Sequence, residues 1–260
     1  MEVNPMEPIL KLSNVSYSYH TPDGETKALA DISFTLMPGE FTAVVGPSGC
    51  GKSTLLSLIA GLMQPEAGNM SLGGIPLTEN SSKIGYMLQH DHLFEWRTVY
   101  RNVILGAEIR GKVTPQIRAR AEQLLEQYGL ERFARSRPSE LSGGMRQRAA
   151  LIRTLLLDPE LLLLDEPFSA LDYQTRLTVS DDIGQIIRRS GKTALLVTHD
   201  LSEAVSLSDR VIVLSKRPAS IVRIVPVRFS LEKDTPLNRR NAPEFKTYFN
   251  EIWKELNHDE

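Results

Sequence analysis

Residues 46–53 read Gly-Pro-Ser-Gly-Cys-Gly-Lys-Ser, and this octet restricts the fold of the chain more than any other run in it. Before it, Phe41-Thr-Ala-Val-Val45 predicts a buried strand; after it, Ser53-Thr-Leu-Leu-Ser-Leu-Ile-Ala60 predicts a helix that ends at Gly61. Gly46, Gly49 and Gly51 let the backbone turn tightly, so that N–H groups converge on an anion at the positive end of the helix dipole. Lys52 adds a full charge for the β/γ-phosphates of a nucleoside triphosphate, and the Ser53 hydroxyl is placed to ligate Mg²⁺. The expected phosphate-binding residues are therefore Gly46, Pro47, Ser48, Gly49, Cys50, Gly51, Lys52, Ser53 and Thr54.

A second glycine-marked helix start follows at Leu141-Ser-Gly-Gly-Met-Arg-Gln-Arg148. Ser142 can cap the helix and bond an oxyanion, while Gly143 and Gly144 expose backbone N–H groups. The helix should run from Met145 to about Leu157, with Pro159 closing it. No lysine follows, and the chain has no second phosphate loop for this end to serve.

Leu161-Leu-Leu-Leu164 has the pattern of a parallel strand buried on both faces, and it delivers Asp165 and Glu166 at its C-terminal end, where ligands gather in α/β sheets. Asp165 is expected to hold Mg²⁺ and Glu166 to polarise the water that attacks the γ-phosphate. Two further apolar runs end the same way. Lys83–Leu88 leads to Gln89, and Thr193–Val197 leads to Thr198-His199-Asp200. His20, His90, His92 and His258 show no metal-ligand spacing, so no zinc site is expected.

The two glycine motifs together resemble those of the ATP-binding cassette (ABC) ATPases. The resemblance implies an α/β P-loop NTPase with a RecA-like core, an antiparallel β subdomain and an α-helical insert, using ATP and Mg²⁺. It implies that Gln89 touches Mg²⁺ and the attacking water, and that His199 contacts the γ-phosphate and orders that water. Tyr19 would stack on adenine, the alternative being a tyrosine that covers its sheet. Ser169-Ala-Leu-Asp172 matches the family's dimer-contact turn, which would place Asp172 near the opposing active site. Ser142, Gly143 and Gly144 would bind the nucleotide of a second subunit. Residues 1–260 are then one domain: a nucleotide-binding core with β subdomain from 1–88 and 158–225, a helical insert at 89–157, and a tail at 226–260.

Alternation suggests strands over 9–19 and 27–36 joined by a turn at Thr21-Pro-Asp-Gly24, with Val15, Tyr17 and Tyr19 on one face. Helices are expected over 98–110 and 114–128. After Asp209–Leu214 the chain becomes basic and proline-punctuated. A last helix carries Phe245, Tyr248, Phe249, Ile252, Trp253 and Leu256 at helical spacing, an apolar stripe expected to pack on the protein's own domain.

A chain of 260 residues with 41% hydrophobic residues can bury a large α/β core. Its net charge of −2 and the lack of a long basic run argue against a nucleic-acid partner. Cys50 is the single cysteine, which rules out an internal disulfide and suits a reducing cytoplasm; beside the phosphates it could also confer thiol sensitivity. Met1–Pro8 is acidic and unlike a signal peptide, and no stretch approaches the roughly 20 apolar residues that span a bilayer. Work on a membrane would need a partner. Leu93-Phe-Glu-Trp-Arg-Thr-Val99 and the aromatic tail are similar to segments of ABC importers for nitrate, sulfonates and taurine, with Glu95 in place of the proline usual there. That resemblance implies an ATPase on the cytoplasmic face of the membrane, paired with a second, identical subunit. Its partners would be integral-membrane permease subunits, coupled through Gln89–Trp96, and indirectly an external solute-binding protein. The alternative is a soluble ABC ATPase driving a machine such as iron–sulfur assembly.

Overall fold

The computed structural model describes residues 7–22 and 24–257; most of the acidic N-terminal stretch, Asp23 of the first turn and His258 lie outside the described residues. In chain order the elements are β1 (Leu10–Thr21), β2 (Gly24–Leu36), β3 (Phe41–Val45), α1 (Lys52–Ile59), β4 (Ala67–Leu72), β5 (Ile75–Pro76), α2 (Leu77–Asn80) and β6 (Ile84–Met87). A helical stretch follows with α3 (Val99–Val103), α4 (Leu105–Ile109), α5 (Pro115–Gln127) and α6 (Gly143–Leu155). The chain then alternates through β7 (Leu161–Asp165), α7 (Tyr173–Arg189), β8 (Thr193–Val197), α8 (Leu201–Leu207), β9 (Arg210–Leu214) and β10 (Ile221–Pro226), ending in α9 (Pro236–Asn241) and α10 (Pro243–Asn257).

Two sheets organise these elements. The larger runs β10-β9-β3-β8-β7-β6, parallel except for its antiparallel edge strand β10. The smaller is antiparallel, in the order β2-β1-β4-β5. In β7 the leucines divide strictly by parity: Leu162 and Leu164 enter the core shared with α3 and α5–α8, while Leu161 and Leu163 enter the core shared with α1 and the antiparallel sheet. A strand covered on both faces has no polar position to spare, and this is why the run is continuous.

Several expectations needed correction. The strands expected over 9–19 and 27–36 extend to the turn itself, with Thr21 paired to Gly24. Val15 and Tyr17 pack on the same core and the Tyr19 ring meets that of Tyr17, as expected of one face, although β1 shifts register between Leu12 and Val15, Val15 and Tyr17, and Tyr17 and Ser18. Asn14 and Asp31 take left-handed backbone angles there and bond side chain to side chain, as bulged positions do. The helix expected over 98–110 is two short ones, α3 and α4, meeting at Ile104. The basic stretch after β9 contains β10, whose outward Val222 and Ile224 remain exposed. On α10 the apolar stripe packs on the main core through Phe245, Tyr248, Phe249, Ile252 and Leu256, but Trp253 stays 55% exposed.

Candidate nucleotide site

The carboxyl ends of β3, β7 and β8 open on a cleft of about 560 Å³, lined by Ser48, Gly49, Gly51, Lys52, Ser53, Thr54, Glu166, His199 and Arg217. Gly51 precedes α1 with φ 124°, and a Cβ there would lie 2.9 Å from Leu29 Cδ2 and 3.1 Å from Ala28 O. Only glycine fits that backbone between β2 and the loop. No side chain caps α1, so its first N–H groups face the cleft mouth unclaimed by a cap. Lys52 is buried and donates from Nζ to Gly46 O at 2.8 Å and Pro47 O at 2.9 Å, curling the loop around its own ammonium. Cys50 is also buried, which pushes its thiol above the ordinary range and away from the reactive thiolate.

Ser53 Oγ donates to Asp165 Oδ1 at 3.3 Å, and Tyr86 OH donates to Asp165 Oδ2 at 3.2 Å. Burial raises the Asp165 carboxyl above its usual range, against the pull of those two hydrogen bonds. Glu166 follows at φ 44°, a left-handed backbone that costs a non-glycine residue on the order of 1 kcal/mol or more. Its N–H donates to Val197 O at 2.9 Å, and its carbonyl accepts from Ser169 N and Ser169 Oγ at 3.2 and 3.0 Å. So held, the Glu166 carboxylate reaches His199, with Oε2 3.0 Å from Nδ1. Tyr19 OH lies 2.9 Å from Thr54 Oγ1, which brings its ring, 39% exposed and edge-on to Tyr17, beside the start of α1.

The remaining candidates stand apart. Gln89 donates to Ser169 Oγ at 3.3 Å, and among the described residues it bonds neither Ser53 nor Asp165. Asp172 caps α7 by accepting from Thr175 N at 3.1 Å; hydrogen bonding to Thr175, its side chain first and then its backbone, holds the carboxyl below its usual range. Ser142 caps α6, accepting from Met145 N at 3.4 Å, and is exposed. Gly144 is buried under α7, where a Cβ would fall 2.6 Å from Val179 Cγ2. None of Ser142, Gly143 and Gly144 lines the cleft.

Three residues at or near the site escaped the sequence. Arg217 lies on the cleft rim and donates twice to Gly49 O, at 3.1 and 2.6 Å; its only sequence signal was the basic stretch after β9. Tyr86, half-buried, holds Asp165 and could have been found by its place in the strand before Gln89. Asn102 is fully buried, accepts from Phe94 N at 2.7 Å and donates to the carbonyls of Phe94, Arg97 and Thr98. It pins a loop on which the Phe94 and Trp96 rings meet at 4.6 Å, tilted by 36°, with Trp96 73% exposed. Glu95, the departure from proline, accepts from Ser139 N at 3.0 Å and so links this loop to the approach to α6. Arg146 and Arg153 tie Asp91 and His92 to α6 from the other side.

The ABC transporter family model matches residues 29–169. The chain is 45% identical over 248 residues to the uncharacterized ABC transporter ATP-binding protein YtlC of Bacillus subtilis, covering 95% of each chain. It is 40% identical over 233 residues to the aliphatic sulfonates import ATP-binding protein SsuB of Bacillus licheniformis, covering 89% of this chain and 88% of that one. To the nitrate import ATP-binding protein NrtD of Synechocystis it is 39% identical over 247 residues, covering 94% and 93%. Among solved structures it is similar to the dimeric post-hydrolysis state of the ATP-binding cassette MJ0796 bound to ADP and Pi, with TM-score 0.71 and 32% identity over 85% of this chain and all of that one. Similarity of this extent, on a chain whose phosphate loop, Glu166 and His199 line one cleft with Asp165 bonded to Ser53 behind it, leads to a single conclusion: the chain belongs to the ABC transporter family as an ATP-binding subunit, and it is an ATPase.

Proposed function

We propose that this ATPase works at the cytoplasmic face of a membrane as a homodimer that powers import of a small oxyanion through separate permease subunits. An external solute-binding protein would deliver the solute, of which an aliphatic sulfonate, taurine or nitrate is the expected kind. The names of the sulfonate and nitrate relatives support that class. No helix among the described residues is long and apolar enough to cross a membrane, so the permease would be a different chain. Its contact would be the Gln89–Trp96 segment, within which Phe94 and Trp96 form an exposed aromatic pair.

In the hydrolytic step, the α1 N-terminus and Lys52 bind and orient the β- and γ-phosphates, the ammonium exchanging its loop carbonyls for phosphate oxygens. Ser53 Oγ and Asp165 Oδ1 form a hard hydroxyl–carboxylate pair of the kind that suits Mg²⁺, which keeps to a few protein oxygens plus phosphate and water. When bound, Mg²⁺ supplies charge neutralisation on the phosphates. Glu166 accepts hydrogen-bonding from the attacking water, and His199 holds the Glu166 carboxylate and faces the γ-phosphate. Gln89 would complete the site by leaving Ser169, and Tyr19 would stack on adenine.

One observation carries the proposal above the others: the Glu166–His199 pair at 3.0 Å stands on the same cleft as Lys52. Glu166→Gln should keep ATP binding, lower turnover by about 100-fold or more, and abolish uptake of labelled sulfonate, taurine or nitrate in cells. Near-normal turnover would remove Glu166 from its role, and undiminished uptake would remove the transport assignment.

A further inference from the structure

Away from the nucleotide cleft, a cavity of about 180 Å³ lies where the segment after β8 meets α7 and the C-terminal helices, with Tyr173, Arg176, Asp200, Glu203, Arg240 and Phe245 in its walls. Its two guanidiniums are incompletely satisfied. Arg240 donates from Nη2 to Ser180 Oγ at 2.9 Å, while its Nε and Nη1 are buried and have no partner among the described residues. Arg176 donates from Nη2 to Leu171 O at 3.1 Å and sits 3.6 Å from Asp200 Oδ2, yet its Nε is likewise buried without a partner. Each such orphan costs on the order of 1–3 kcal/mol, more on a charged group, so three on the two arginines of one cavity call for an acceptor.

The acids in the wall do not supply it. Asp200 Oδ1 already accepts from Ser202 N and Glu203 N at 2.7 and 3.2 Å. Glu203 accepts from Thr198 Oγ1 at 2.7 Å and makes no ion pair with either arginine among the described residues. Burial pushes its carboxyl up to about 7, so near neutral pH much of it is uncharged. Asp200, Asp181 and the partly ionised Glu203 therefore stand near the two guanidiniums without taking up their three unpartnered N–H groups.

We propose that this cavity binds a small oxyanion, its oxygens on the Arg176 and Arg240 guanidiniums and any short carbon chain against the Tyr173 and Phe245 rings. Guanidinium N–H groups pair with sulfonate or carboxylate oxygens through charge-assisted, often bidentate bonds, which is the chemistry these arginines leave unused. The occupant would join α7, α9 and α10 to the Thr198–Glu203 segment, from which His199 projects into the nucleotide cleft. The site is independent of which solute is imported, because it lies wholly within this chain.

Calorimetric titration of the full chain with ethanesulfonate and with sulfate tests it, with chloride as control. A non-hydrolysable ATP analogue with Mg²⁺ keeps the phosphate loop filled. The expected result is one saturable oxyanion site per chain, weakened about tenfold or more by Arg240→Gln and by Arg176→Gln. Glu203→Gln, which removes a negative charge at nearly constant volume, should tighten binding at pH 8. Absence of binding by both oxyanions, or an affinity that neither Arg240→Gln nor Glu203→Gln changes, overturns the proposal. Glu203→Gln keeps the test decisive if an arginine variant fails to fold, and ATP hydrolysis measured in parallel keeps it separate from the nucleotide-site assignments.

Discussion

Glu203 carries an acid that the fold has largely removed from water: it is 4% exposed, and burial lifts its carboxyl from the ordinary 4.5 to about 7, although Thr198 donates to it. The charged and titratable side chains around it are Asp200, Arg176 and His199, with Arg240 across the cavity. A carboxyl raised in the folded state binds more protons folded than unfolded between those two values, so the chain loses stability as pH rises from 4.5 to about 7 and the loss is constant above that. The whole difference is about 3 kcal/mol. Glu203→Gln keeps an acceptor for Thr198 and removes the charge, so its stability gain over the parent should be clearly larger at pH 8 than at pH 5.5 in denaturant melts. Equal gains at both pH values would mean that Glu203 is not held protonated by burial. Glu166 shows the opposite economy at the residue scale, since its φ of 44° is tolerated by backbone bonds to Val197 and Ser169 that aim the carboxylate at His199.

Elements whose identity rests on a strict local pattern could be read from the chain. β7 had to be a doubly covered strand because four leucines in a row leave no solvent face, and α1 had to follow Gly51 because the octet allows little else. Elements and contacts that depend on distant partners could not. Whether 98–110 breaks at Ile104, whether β10 adds an edge to the sheet, and whether Arg217 returns to Gly49 are decided by tertiary packing that no window of sequence contains. The loop carrying Phe94 and Trp96 is the clearest case: its motif was visible, but the residue that pins it is Asn102, buried at 0% exposure and bonded to Phe94, Arg97 and Thr98. A pinned loop that presents an aromatic pair suits an anchor for another protein. Phe94→Ala combined with Trp96→Ala should abolish uptake in cells and leave ATP hydrolysis by the isolated chain within about twofold of the parent, because neither ring reaches the cleft. Retained uptake would show that the permease docks elsewhere.

At the scale of the whole molecule, the chain has two helix ends suited to phosphate and only one phosphate loop. The α1 end opens on the cleft, whereas the α6 end presents exposed Ser142 away from it, with Gly144 packed under α7. Two-fold symmetry of the proposed homodimer would resolve this, because an isologous interface can bring the Ser142–Gly144 end of one subunit over the Gly46–Ser53 loop of its twin, twice. Two ATP molecules would then lie between the subunits. Ser142→Arg should therefore leave the isolated fold and initial ATP binding intact while preventing both ATP-dependent dimerisation and hydrolysis. Loss of the α6 cap alone costs about 1 kcal/mol, so Ser142→Asn, which restores a capping side chain without the bulk, separates a local effect from a blocked interface. Both variants are compared by size exclusion with ATP in a Glu166→Gln background, where turnover cannot dissolve the dimer. Ser142→Asn should dimerise and Ser142→Arg should not; a Ser142→Arg chain that dimerises normally would defeat the shared-nucleotide assembly while leaving the cleft chemistry of the single subunit untouched.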